Sequence, residues 1–149
     1  MTLEIRILQQ GDDAILERVA PGVFDKPIDR ALTAEFLADP RHHLAVARVD
    51  GTVVGMASGV HYIHPDKPAE LWVNEVGVAP THRGQGIGKA VLGALLEVGL
   101  RLGCVQAWVL TDRENAAAMG VYRALGGVEA PSLSAMLSFP LAPHTTRMR

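Results

Sequence analysis

The chain has 149 residues, a formal net charge of −2, 48% apolar residues and 20% charged ones. That length fits one domain, and it can bury about 68–70% of its unfolded surface. The apolar fraction excludes a disordered chain, and a pI near 6.3 argues against a dedicated nucleic-acid binder, which needs a basic face. Cys104 is the single cysteine, so neither an intrachain disulfide nor a cysteine-based zinc cluster can form. The first residues lack the apolar run of a signal peptide. The most apolar stretch, 90–110, is interrupted by Glu97, Arg101 and three glycines, a poor membrane span. The expectation is a cytoplasmic protein with no nucleic-acid or membrane partner.

In chain order, Leu3–Leu8 alternates Leu3, Ile5 and Ile7 and predicts a first strand. Asp12 or Asp13 is placed to cap a helix to about Ala20, which Pro21-Gly22 stops. A second helix is expected over Asp29–Ala38, ended by Asp39-Pro40. His43–Val49 and Thr52–His61 read as strands, and Asp50-Gly51 between them signals a type I′ hairpin. A proline-containing turn at 65–68 leads to a strand over Glu70–Val78. From Gly84 to Leu102, apolar residues at Ile87, Val91, Ala94, Leu95, Val98 and Leu102 recur at steps of three and four and predict a long helix, stopped by Gly103. Cys104–Leu110 follows as a strand, Asn115–Leu125 as a helix ended by Gly126-Gly127, and Leu133–Phe139 as a last strand. Residues 1–141 form the expected domain, and 142–149 a loose tail. The order β-α-α-β-β-β-α-β-α-β predicts an α/β fold, with a mixed sheet and helices on its faces.

The segment that carries chemistry is Val76-Gly77-Val78-Ala79-Pro80-Thr81-His82-Arg83-Gly84-Gln85-Gly86-Ile87-Gly88-Lys89. A strand enters a glycine-dense turn that opens into a long helix. Glycines let backbone N–H groups converge, and the helix N-terminus adds unpaired donors and the positive end of its dipole. The product is a phosphate cradle, to which Arg83, Lys89 and His82 add cationic or donor side chains. A P-loop is excluded because only three residues lie between Gly84 and Gly88, where that loop needs four, and Lys89 precedes Ala90. A dinucleotide fingerprint is excluded because its glycine spacing is absent and no acid lies at 104–109.

The spacing that fits is R/Q-x-x-G-x-G/A, met by Arg83, Gly86 and Gly88. It resembles the acetyl-coenzyme A motif of the GNAT superfamily of N-acetyltransferases. Asn115, Ala118, Tyr122, Leu125 and Gly126 are similar to that family's second signature, N-x-x-A-x-x-L-Y-x-x-L-G-F, with Val121 and Gly127 as departures. The resemblance implies a single, mostly antiparallel mixed sheet splayed at its centre, with helices on both faces. It implies acetyl-coenzyme A as cofactor, with pantetheine in the splay against Val76, Gly77 and Val78. The pyrophosphate would then lie on the backbone of Gly84, Gln85, Gly86, Ile87, Gly88 and Lys89, with Arg83 beside it. Asn115 is implied to bond pantetheine and Tyr122 to protonate the leaving thiolate.

Glu75 is the candidate base, on the strand just before the pantetheine residues, where alternation sets Asn74 and Val76 on one face and Glu75 on the other. Asp112 and Glu114 are reserves. Strand, turn and strand over 62–78 resemble the short GNAT-type aminoglycoside 3-N-acetyltransferases. That resemblance makes an aminoglycoside amine the expected small-molecule acceptor, with Glu75, Asp25, Asp29, Glu35, Asp112 and Glu114 as the acids to hold a polycation. A peptide or polyamine acceptor, and a non-catalytic acetyl-coenzyme A-binding module, are the alternatives; a homodimer is possible. His42, His43, His61 and His64 lack the spacing of a metal site. Trp72 and Trp108 are expected in the core or along the acceptor pocket.

Overall fold

The structure, a computed structural model, describes residues 2–131 and 134–142. Strands β1 (Leu3–Ile7), β2 (His42–Val49), β3 (Thr52–Tyr62), β4 (Glu70–Val78) and β5 (Ala107–Val109) form one sheet in that order. The first four are antiparallel neighbours, and β5 runs parallel to β4. Helices α1 (Arg30–Ala38), α2 (Ile87–Arg101) and α3 (Ala116–Ala124) and two short 3-10 turns complete the fold.

The β2–β3 hairpin turns through Asp50 and Gly51, at φ 50° and 80°, the left-handed pair that a type I′ turn demands. Helix α2 lies across one face of the sheet and buries Ile87, Gly88, Val91, Leu92, Leu95 and Gly99. These pack on a core of Ala45, Ala47, Ala57, Leu71 and Val73. The opposite face carries the first 3-10 turn (Asp13–Glu17), α1 and the loop between them.

Two irregularities position the site. The first is a bulge in β4. Ser58 pairs with Glu75 while Gly59 pairs with Val73, so Asn74 is an extra residue with no partner. One extra residue reverses which way later side chains point. Leu71 and Val73 face α2, and so do Val76 and Val78; Glu75 is turned to the other face. Without the bulge Glu75 would lie in register with Leu71 and Val73 and point under α2. The second is the splay. β5 pairs with β4 only over Leu71–Val73, so the β5-facing edge of β4 has no strand partner from Asn74 to Val78.

Some sequence expectations are corrected. The helix predicted to Ala20 is a 3-10 turn ending at Glu17. The chain must be extended by Val19 to bridge Val53, with Ala20 N–H donating to the Val53 carbonyl at 2.8 Å. Asp12 makes no cap to this turn and instead accepts from the Gln9 N–H (2.8 Å) and from Arg6 (3.1 Å). β5 is three residues long rather than seven, because β4 bends away after Val73. No strand forms over 134–139, where Met136, Leu137 and Phe139 stay exposed; β5 offers too short an edge to template it. Leu133 and the expected tail beyond Ala142 lie outside the described residues.

Candidate functional site

A cleft of about 700 Å³ opens where β4 parts from β5. Its floor is the free edge of β4, its walls the start of α2 and one face of α3. Gly84 and Gly86 adopt φ of 75° and 78°, and Gly86 is the residue that starts α2. A side chain at either position would meet no protein atom within 4 Å; it would fill open cleft instead. α2 has no side-chain cap, so its first-turn N–H groups remain available. His82, Arg83 and Lys89 line the same end. Thr81 Oγ1 lies 2.8 Å from His82 Nδ1 and fixes that ring, and Arg83 Nε donates to the Val78 carbonyl at 3.3 Å. This end is a donor-rich, positively charged cradle open to an anion.

The other end is acidic. Gly77 has no room for a Cβ: it would sit 2.2 Å from the Val23 carbonyl oxygen. The loop before α1 therefore crosses directly over β4, and it carries Asp25 to Glu75. Burial pushes the Glu75 carboxyl above its usual range, and the Asp25 charge and a hydrogen bond between the two side chains raise it further. A proton on Glu75 lets its carboxyl donate to Asp25 instead of repelling it.

α3 supplies the remaining wall. Asn115 Oδ1 accepts from the Ala118 N–H at 3.1 Å and caps the helix, leaving its amide nitrogen as a donor at the cleft. Tyr122, two turns on, lines the same cleft and is half-buried; burial raises its phenol above 10, so the hydroxyl keeps its proton at neutral pH. Ala117, Ala118 and Gly120 keep the helix face low. Gly126, at φ 89°, ends α3.

Of the residues expected at the site, Glu75, Asp25, Val76, Gly77, Val78, Arg83, Gly84, Gly86, Ile87, Gly88, Lys89, Asn115 and Tyr122 line this one cleft. Gln85 does not line it. Four acids expected to hold the acceptor do not line it either. Asp29 caps α1, accepting from the Leu32 N–H at 2.9 Å. Glu35 is exposed on α1. Asp112 accepts from the Glu114 N–H at 2.9 Å in an exposed turn, and Glu114 is itself exposed. Sequence reasoning missed the contribution of Gly22 and Val23, which Pro21-Gly22 signalled only as a helix stop. It also missed a second cavity of about 590 Å³ between the first 3-10 turn and α1, which shares Gly22 and Asp25 with the cleft. Trp72 and Trp108 stack at 5.6 Å across β4 and β5, on the Glu75 face of the sheet. His43 and His61 form a pair at 2.7 Å, and no group of three or more His, Cys, Asp or Glu side chains among the described residues is placed to hold a metal. No helix of the described residues is long and apolar enough to cross a membrane.

These features fit an elongated, phosphorylated coenzyme with its anionic part on the glycine turn. Comparison with known proteins agrees with that shape. Residues 13–126 match the model of the acetyltransferase (GNAT) family. N-alpha-acetyltransferase RimI of Mycobacterium tuberculosis is 39% identical over 104 residues, which cover 70% of this chain and 63% of that protein. L-2,4-diaminobutyric acid acetyltransferase of Nocardia farcinica is 30% identical over 127 residues, covering 83% of this chain and 64% of that protein. The chain thus spans less than two-thirds of the length of both relatives. A crystal structure of an aminoglycoside acetyltransferase from an uncultured soil metagenomic sample superposes with a TM-score of 0.76 at 20% identity, covering 95% of this chain and 100% of that one. At that identity the match speaks for the fold. The glycine turn, the splayed strands and the family match together establish that the chain belongs to the GNAT acetyltransferase family.

Proposed function

We propose that the protein transfers an acetyl group from acetyl-coenzyme A to a single primary amine. The observation that carries this reading is the polarity of one continuous cleft: a cationic glycine cradle at one end, a carboxylate pair at the other, and a protonated tyrosine along the wall. When bound, acetyl-coenzyme A supplies an acetyl thioester whose leaving group is a thiol. The α2 N-terminus, Gly84, Gly86, Arg83 and Lys89 hold its phosphates. The free edge of β4 at Val76 and Val78 offers N–H and C=O groups to the pantetheine amides, and Asn115 adds a donor.

Glu75 and Asp25 attract the acceptor's ammonium and take its proton. A carboxylate with a raised pKa is the better base for that task at neutral pH. Tyr122 holds on its Oη the proton that a departing thiolate needs. Backbone N–H groups on the β4 edge are the candidate donors to a developing oxyanion.

The acceptor is read as an α-amine. The name of the RimI relative points to one, and only two of the six acids expected for a polycation line the cleft. The aminoglycoside 3-amino group, expected from the sequence, is the second reading; the fold neighbour named as an aminoglycoside acetyltransferase favours it. Thiol release from acetyl-coenzyme A against amino acids, short peptides, spermidine and a gentamicin-type aminoglycoside separates them. Turnover highest on a single α-amine is expected. An aminoglycoside outrunning every mono-amine would establish the second reading, and coenzyme binding with no thiol release on any amine would leave a binding module.

A further inference from the structure

The second cavity carries a cation, Lys26, that the proposed reaction does not use. Its walls include Leu16, Phe24, Pro27 and Ile28, an apolar lining. Four charged residues also border it: Glu17, Asp25, Lys26 and Arg30. Arg30 pairs with Glu17 at 3.6 Å across the mouth. Asp25 is engaged with Glu75. Lys26 has no ion-pair partner among the described residues, so one uncompensated cation stands beside the acid that faces the reacting amine. Asp25 borders both this cavity and the cleft, and Lys26 borders the cavity beside it, so one small ligand that reaches from the cleft into the cavity would meet an acid for its amine and a cation for its carboxylate. A polycation gains nothing from that arrangement, since Lys26 repels its further amines.

We infer that the acceptor is a small amphoteric molecule of the α-amino-acid class, its amine at Asp25 and Glu75, its carboxylate at Lys26 and an apolar side chain against Phe24, Pro27 and Ile28. This rests on the acetyl-transfer reading and narrows it from any α-amine to one with a free carboxylate.

The test compares leucine with leucinamide and a leucine-initiated tripeptide as acceptors, for the wild-type protein and for Lys26→Ala, Lys26→Glu and Lys26→Arg. Binding of leucine and leucinamide to the protein saturated with coenzyme A is followed in parallel by calorimetry. Lys26→Ala is expected to raise KM for leucine about ten- to a hundredfold, the range of one hydrogen bond to a charged group, with kcat unchanged and leucinamide unaffected. Lys26→Arg should restore most of the loss, and Lys26→Glu should reverse the preference for leucine over leucinamide. Equal use of leucine and its amide by the wild type, a preference for the tripeptide, or an equal loss on both acceptors in Lys26→Ala would each overturn the inference. If no amine releases thiol but calorimetry still shows leucine preferred through Lys26, the acceptor site stands and the transfer reading fails. If thiol is released without that preference, the reverse holds.

Discussion

Gly77→Ala places one methyl group where the fold has no space, and its consequences can be worked out. The new Cβ would sit 2.2 Å from the Val23 carbonyl oxygen, with Met56 Cε at 3.4 Å. Backbone must retreat by about 1 Å to reach a normal contact, and a backbone oxygen cannot rotate aside as a side-chain tip can. Retreat is opposed on two sides. Val23 is 2% exposed in the core. Gly22 before it, at φ 86°, has Pro80 Cδ 2.7 Å from where a Cβ would be. Overpacking of this kind costs about 1–3 kcal/mol, and the entropy gained by replacing glycine offsets about 0.4–1 kcal/mol of it. A net loss of about 1–2 kcal/mol is expected in denaturant melts, with an unchanged slope. The larger effect is on activity. Asp25 lies two residues beyond Val23, and a displacement of about 1 Å at a reacting group costs on the order of 10²-fold in rate. Gly93→Ala is the control: its Cβ would meet only Leu125 Cδ2, at 4.0 Å, inside α2. It should stabilise by about 0.5–1 kcal/mol and leave acetyl transfer intact. Wild-type stability and full activity in Gly77→Ala would refute the crossing of the Val23 loop over β4 as the device that brings Asp25 to Glu75.

Other outcomes follow from the same geometry. The Glu75 pKa is raised in the folded state, so the folded state binds the extra proton and stability from this group is lost as pH rises through the raised value. Glu75→Gln should therefore melt higher than wild type at pH 7, converge with it in acid, and lose about 10²-fold or more in kcat. His43 is the opposite case: burial first, then the neighbouring His61 and His42, lowers its pKa to about 4. Between pH 6.5 and 4 the unfolded chain binds a proton that the folded chain refuses, so stability falls over that window, by at most about 3 kcal/mol and by about 1–2 once solvent screening of a half-buried ring is allowed for. His43→Asn should flatten that limb of a stability–pH curve. Gly86→Ala forces a left-handed φ of 78° on alanine and puts a methyl in the cradle. Coenzyme A affinity measured by calorimetry should drop at least tenfold, while the α2 core packing is unchanged.

Most of the cleft was legible in the sequence because it is built from short-range features. The glycine spacing around Gly84–Gly88 dictates a turn and a helix start, and Asn115 and Tyr122 share a helix face through a seven-residue separation. The bulge at Asn74 was not legible. It arises from pairing with β3, a long-range register that no local pattern announces, and it alone turns Glu75 out of the core. The need for glycine at 77 was not legible either: it comes from Val23, 54 positions earlier in the chain. The acids at Asp29 and Asp112 were misleading because a carboxylate that caps a helix or closes a turn looks the same in sequence as one that meets a substrate. The helix through Ala20 was overextended because a long-range contact, the bridge from Val19 to Val53, outweighs local helix propensity.

The proposed transfer requires Tyr122 and Glu75 to act together in moving an acetyl group to an amine. The most direct measurement is amine-dependent thiol release from acetyl-coenzyme A as a function of pH, for wild type, Glu75→Gln and Tyr122→Phe, with coenzyme affinity measured on each. An acid limb that lies above the ordinary glutamate range and vanishes in Glu75→Gln is expected in the wild type. A kcat lowered by about 10²-fold is expected in Tyr122→Phe, with coenzyme affinity within about twofold of wild type. Unchanged kcat in both variants, or release that does not depend on the amine, would contradict the proposed transfer.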